Sequence, residues 1–66
     1  MKRTCLTICE TNHHYKCVHD DADKYNPYRV YQTWWDGGEH KKQIAKYADF
    51  ASAVCYLAER ILKGEN

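Results

Sequence analysis

Tyr28-Arg29-Val30-Tyr31-Gln32-Thr33-Trp34-Trp35-Asp36-Gly37-Gly38-Glu39-His40-Lys41-Lys42 is the stretch that decides how this chain folds. Its first eight residues are aromatic, β-branched or long and polar, side chains that fit a pleated, half-buried surface. Asp36-Gly37-Gly38 then supplies residues that accept the positive φ of a tight hairpin turn. Glu39 to Tyr47 returns as the partner strand, so a hairpin spans 28–47. Lys41, Lys42 and Lys46 suit an exposed or edge strand, where charge discourages pairing with another chain. The turn length sets the pairing parity. A two-residue turn pairs even positions with odd ones, a three-residue turn reverses this, and a slip of one residue exchanges the two faces of the sheet. Either Trp34 or Trp35 then lies in the core.

Toward the C-terminus the period changes from strand to helix. Asp49 is a good N-cap, because its carboxylate accepts an orphan backbone N–H and complements the helix dipole. Phe50, Ala53, Val54, Leu57, Ala58 and Ile61 recur at the spacing of one helical face. Ser52, Tyr56, Glu59, Arg60 and Lys63 fall on the other side. A helix over 49–63 follows, with Lys63 in the last turn and Gly64 at the position after the cap.

Toward the N-terminus the alternation is weaker. Leu6 and Ile8 share one face of Thr4 to Cys9, with Cys5 and Cys9 on the other. Tyr15 and Cys17 share one face of His14 to His19. Glu10-Thr11-Asn12-His13 between them reads as a turn, giving a first hairpin over 4–19. Asp20 to Pro27 is polar and punctuated by Asn26-Pro27, a loop. The whole chain, 1–66, is then a single α+β domain of order ββββα, an antiparallel sheet with one C-terminal helix packed on one face. The order of the two hairpins within the sheet stays open.

Length and composition limit the functions. A chain of 66 residues has a thin core and buries only roughly 60% of the surface its unfolded form exposes. Little is left to build a deep substrate cleft with a supporting shell. The formal charge of +1 makes no general case for nucleic acid or membrane, so any basic site must arise from local clustering. No apolar run approaches the roughly 20 residues that span a bilayer. The basic start Met1-Lys2-Arg3 is followed by Thr, Cys and Glu rather than an apolar signal core, so a cytoplasmic chain with reduced cysteines is expected.

Four constellations carry chemistry. Cys5, Cys9, Cys17 and His19 offer thiolate and imidazole groups suited to zinc, and they share a face if the first hairpin pairs suitably. The spacing lacks the tight Gly or Pro turns of a zinc knuckle, so zinc is carried only as an alternative, and no cofactor is the primary expectation. Arg29, Tyr31, Trp35, Lys41, Lys42 and Lys46 combine phosphate-neutralising cations with rings that stack on bases, an alternative nucleic-acid site. The acidic run Asp20-Asp21-Ala22-Asp23 opposes that reading if it lies nearby. Cys17 with His19 or His14 imitates a nucleophile and its base, but without an oxyanion hole or an orienting third group, so no catalytic residue is assigned and no enzyme is expected. The sheet face away from the helix would expose aromatic side chains, which are common anchors of protein contacts.

Tyr28-Arg29-Val30-Tyr31, Trp35-Asp36-Gly37-Gly38-Glu39-His40-Lys41-Lys42 and Tyr47-Ala48-Asp49-Phe50-Ala51-Ser52-Ala53 resemble small uncharacterised proteins of bacterial and mobile-element genomes. That similarity covers 28–62 and implies no activity. The strand–strand–helix order with a basic hairpin also resembles the AP2-like arm-binding domains of tyrosine recombinases, which implies a sheet face laid against DNA. The chain departs from that pattern in having Tyr47-Ala48-Asp49-Phe50 where those domains carry Gly-Phe-x-Thr. The expectation is a non-catalytic binding domain that uses the open sheet face for a protein partner or a second copy. Nucleic-acid binding and structural zinc are the alternatives, and no membrane contact is expected.

Overall fold

A computed structural model of the chain describes residues 1–10 and 13–63. The elements are β1 (Lys2–Glu10), β2 (His13–Asp20), β3 (Tyr28–Trp35), β4 (Glu39–Tyr47) and α1 (Phe50–Leu62). The four strands form one antiparallel sheet in the order β1-β2-β3-β4, so each strand neighbours the next in sequence. This is the ββββα, α+β arrangement that the sequence pattern predicts. Thr11, Asn12 and Gly64, to which the turn and cap readings assign roles, lie outside the described residues.

Trp35 pairs with Glu39, so the second hairpin closes through the three residues Asp36, Gly37 and Gly38. Gly37 has φ 71°, in the left-handed region that the loop requires. The Asp36 amide donates to the Gly38 carbonyl at 3.0 Å, and an imidazole nitrogen of His40 lies 2.9 Å from the Asp36 carbonyl oxygen. The three-residue loop settles the parity: odd positions of β3 face odd positions of β4 near the turn.

That parity does not persist. Val30 pairs with Ala45 but Tyr31 pairs with Gln43, leaving Ile44 as an extra residue in β4. A second irregularity lies between Thr4 and Leu6, where Cys5 is the extra residue of β1. Each bulge shifts the strand by one position, so residues on its two sides change face relative to simple alternation. Ile44 and Ala45 both pack against the core as a result, although they are adjacent in sequence.

The core holds Tyr15, Cys17, Val30, Ala53 and Leu57, all buried. Leu6 lies opposite Cys17 and Ile8 opposite Tyr15, so β1 contributes these two to the same side. The helix packs over β2, β3 and β4. Asp49 caps it, in extended conformation, by accepting the Ser52 amide at 2.8 Å.

The buried face of α1 is rotated from the one its periodicity predicts. Tyr56 and Arg60, assigned to the solvent side, are drawn inward. The Tyr56 ring packs 5.7 Å from that of Tyr47, and the Arg60 guanidinium lies 5.8 Å from the Tyr15 ring. Val54 and Ala58, assigned to the core, are exposed. The reason is the size of the sheet's own side chains. Tyr15 and Tyr47 offer large ring surfaces that another ring and an arginine stem cover better than short aliphatic groups would.

Candidate binding face and cleft

The register assigns every strand residue to the helix side or to the open face. Arg29, Tyr31, Thr33 and Trp35 of β3 lie opposite Lys46, Gln43, Lys41 and Glu39 of β4, and all eight belong to the open face. The bulge at Ile44 makes this possible, because Lys41 and Lys46 would otherwise point to opposite sides. Five of the six residues expected for a nucleic-acid surface are therefore brought together: Arg29, Tyr31, Trp35, Lys41 and Lys46. The sixth, Lys42, pairs with Gln32 on the helix side. Trp35 is 78% exposed on the open face, whereas Trp34 lies on the helix side, is 46% exposed and stacks on His40, so neither tryptophan is in the core as the hairpin parity alone implies.

The loop after β2 closes one end of the open face. The Arg29 guanidinium lies 3.0 Å from the Asp23 carboxylate and also meets the Asn26 carbonyl at 3.4 Å and the Gln43 amide oxygen at 3.5 Å. Asp23 in addition accepts the backbone N–H groups of Tyr25 and Asn26, each at 3.0 Å. The Asn26 and Tyr25 amides, with Arg29 adding a smaller share, hold its carboxyl below the usual value of 3.8. Val18 and Asp20, at the same end, are buried.

The other end opens into a cleft. The ladder between β2 and β3 runs from His19 opposite Tyr28 to Tyr15 opposite Gln32. Beyond it lie His14 on one strand and Thr33 to Trp35 on the other, and here the two hairpins part. The space between them is about 520 Å³. Thr7, Ile8, Cys9, His14 and Lys16 line it from the first hairpin, and Thr33, Trp34, Trp35 and Glu39 from the second. The Lys16 ammonium lies 3.4 Å from the Glu39 carboxylate, a charge pair that bridges the two hairpins. The Lys41 ammonium lies 4.9 Å from the centre of the Tyr31 ring, a cation–π contact on the same face.

The four residues expected to hold zinc are not brought together. Cys17 lies opposite Leu6 on the helix side and is fully buried, while Cys9 lies opposite His14 on the open face. The expectation of a shared face fails because the two cysteines occupy opposite pleats once Glu10 pairs with His13. Cys5 sits in the bulge with its thiol 3.7 Å from the Arg3 carbonyl oxygen. His19 makes a 3.0 Å contact with the Asp21 carboxylate and an edge-on contact with Tyr28. Among the described residues, no group of three or more His, Cys, Asp or Glu side chains is placed to hold a metal ion.

Sequence reasoning did not pair Cys9 with His14, nor single out Lys16 and Glu39. The signal for the first pair was present: a hairpin that closes Glu10 on His13 sets Cys9 against His14. For Lys16 and Glu39 there was none, because they lie on non-adjacent strands and meet only across β3.

The fold and this face define a small antiparallel-sheet domain backed by one helix, with an exposed aromatic face and an open cleft. Compared with protein-family models, curated proteins and solved structures, the chain matches none of them. No described helix is long and apolar enough to cross a membrane.

Proposed function

We propose that the chain is a non-catalytic binding domain whose open sheet face contacts protein, either a partner chain or a second copy of itself. The observation that carries this reading is the pairing of cations on that face with carboxylates. Arg29 is held by Asp23 and Lys16 by Glu39, so two of its basic groups already have anionic partners. A phosphate backbone rewards cations that are free to shed counterions, and each pre-formed carboxylate pair must be broken first. A surface of mixed charge around an exposed tryptophan suits a protein partner, for which an aromatic anchor and a polar rim are the usual arrangement.

Nucleic-acid binding is the second reading, favoured by the gathering of Tyr31, Trp35, Lys41 and Lys46 on one face. Light scattering across a concentration series, with wild type and Trp35→Ala side by side, tests self-association. A mass that rises above 7.8 kDa in the wild type only supports contact through this face. Titration with duplex DNA at low and high salt tests the alternative. Tight binding that weakens steeply with salt and is lost in Lys41→Ala/Lys46→Ala would replace the protein-contact reading with the nucleic-acid one.

A further inference from the structure

Cys9 and His14 lie directly opposite one another on β1 and β2, and the Cys9 Sγ is 3.5 Å from His14 Nδ1. Both side chains are exposed, and both line the cleft between the hairpins. The distance allows the thiol to donate its proton to the imidazole. A thiol with a base in contact and open access is the arrangement that favours attack on an electrophilic sulfur.

We propose that Cys9 is a reactive thiol that exchanges with low-molecular-weight disulfides in the cleft, with His14 as its base. In the step, His14 Nδ1 takes the Cys9 proton as Sγ attacks one sulfur of the disulfide. The disulfide's S–S bond breaks and a bond from Cys9 Sγ to one half forms. The other half leaves as a thiolate, which takes the proton back from the imidazolium and departs as a thiol. Cys9 is oxidised to a mixed disulfide, the leaving sulfur is reduced, and the small disulfide is the oxidant. This is a stoichiometric modification of the uncovered open face, because Cys9 and His14 share their cleft with Trp35.

The other cysteines differ in environment. Cys17 is fully buried, and burial, with Cys5 nearby, pushes its thiol upward in pKa, away from reactivity. The Cys5 thiol is directed to a backbone carbonyl. Cys55 is exposed on the helix and does not line the cleft, which makes it an internal reference within the same chain.

The cleft's volume of about 520 Å³ accommodates a ligand of peptide size. Its wall carries the Lys16–Glu39 pair, with one charge of each sign, and the flat surface of Trp35. Oxidised glutathione, a peptide disulfide, serves as the second probe.

The test uses the full reduced chain with dithiodipyridine, a neutral disulfide whose released thione is followed by absorbance, and mass spectrometry of partly labelled protein. An ordinary thiol is only a few per cent ionised at neutral pH, so assistance by a base can speed attack by about thirtyfold at most. Cys9 is expected to react about tenfold faster than Cys55 at neutral pH. Cys9→Ser is expected to remove the fast phase. His14→Gln is expected to slow Cys9 to the rate of Cys55 and to leave Cys55 unchanged. Oxidised glutathione is expected to add first to Cys9. The proposal is overturned if Cys55 or Cys5 is labelled first, or if Cys9 in His14→Gln keeps the wild-type rate. Both side chains lie outside the core, and circular dichroism of the variants verifies that the fold is retained.

Discussion

The Arg29 guanidinium sits 3.0 Å from the Asp23 carboxylate, and this contact fastens the polar loop between β2 and β3 to the open face of the sheet. The contact also places the acidic run beside the basic hairpin, the position in which it opposes a phosphate ligand. Asp23→Ala removes the acceptor of two backbone amides and one guanidinium together. Its expected effect is a lower melting temperature at pH 7, and an Arg29 without its carboxylate partner that raises any affinity for DNA. A calorimetric melt and the DNA titration described above check the two halves.

The same carboxylate sets an acid dependence. Asp23 and Asp49 both lie below the usual 3.8, Asp23 through the Asn26 and Tyr25 amides, with a smaller share from Arg29, and Asp49 through the Ser52 hydroxyl and amide. As pH falls, the unfolded chain takes up these protons first. The stabilisation is therefore complete above about pH 4 and is lost as pH falls through the depressed folded values. Melting temperatures between about pH 2 and pH 6 are expected to drop steeply in the wild type, and less so in Asp23→Asn/Asp49→Asn. Equal slopes in the two proteins would remove these carboxylates from the account.

Leu57 is 1% exposed at the centre of the core, while Val54 on the same helix is 37% exposed. Leu57→Ala is expected to cost about 2–5 kcal/mol, since both transfer energy and a residual cavity are lost. Val54→Ala is expected to cost less than about 1 kcal/mol, because a smaller group is removed from a site that solvent already reaches. Urea denaturation of the two variants tests the observed rotation of the helix, for periodicity alone would assign both residues to the core.

Gly37 adopts φ 71° in open space, with no atom near enough to obstruct a Cβ. Gly37→Ala is therefore a purely conformational change, expected to cost about 1–2 kcal/mol. Gly37→Asn is expected to recover part of this, because Asn tolerates the left-handed region better. Loss of stability on a similar scale in both variants would mean that the glycine is needed for something other than its backbone angle.

Trp35 and Trp34 are adjacent, yet one projects into solvent and the other stacks on a ring. In Trp34→Phe, the remaining Trp35 is expected to emit at long wavelength and to be quenched freely by acrylamide. In Trp35→Phe, the remaining Trp34, half covered and stacked 5.7 Å from His40, is expected to emit at shorter wavelength and to be quenched less freely. Trp35→Ala is expected to alter stability by no more than about 0.5 kcal/mol, as for a surface residue without a core contact. Any larger loss measured by urea denaturation would place Trp35 among the structural residues and weaken its role as an anchor.

Much of the fold was readable from local features. The aromatic and β-branched run from Tyr28 to Trp35, the Asp36-Gly37-Gly38 break and the Asp49 cap each announce a backbone state through chemistry within a few residues. The site was less readable. Residue type groups Trp35, Arg29, Tyr31, Lys41 and Lys46 as the fold does, but it also takes in Lys42, which points the other way. The register divides Cys9 from Cys17 and His19, although their clustering in the sequence implies a common face.

The sequence by itself determined the order of elements, the turn between β3 and β4 and the position of the helix, because propensity, turn chemistry and capping act over a few neighbouring residues. Only the tertiary structure decided which side chains share a face. Bulges at Cys5 and Ile44 each displace a strand by one residue, and a displacement of one residue in a structure of period two exchanges its faces. The cleft arose the same way, because β2 and β3 stop pairing at Tyr15 and Gln32, and nothing in either strand's own residues marks that point.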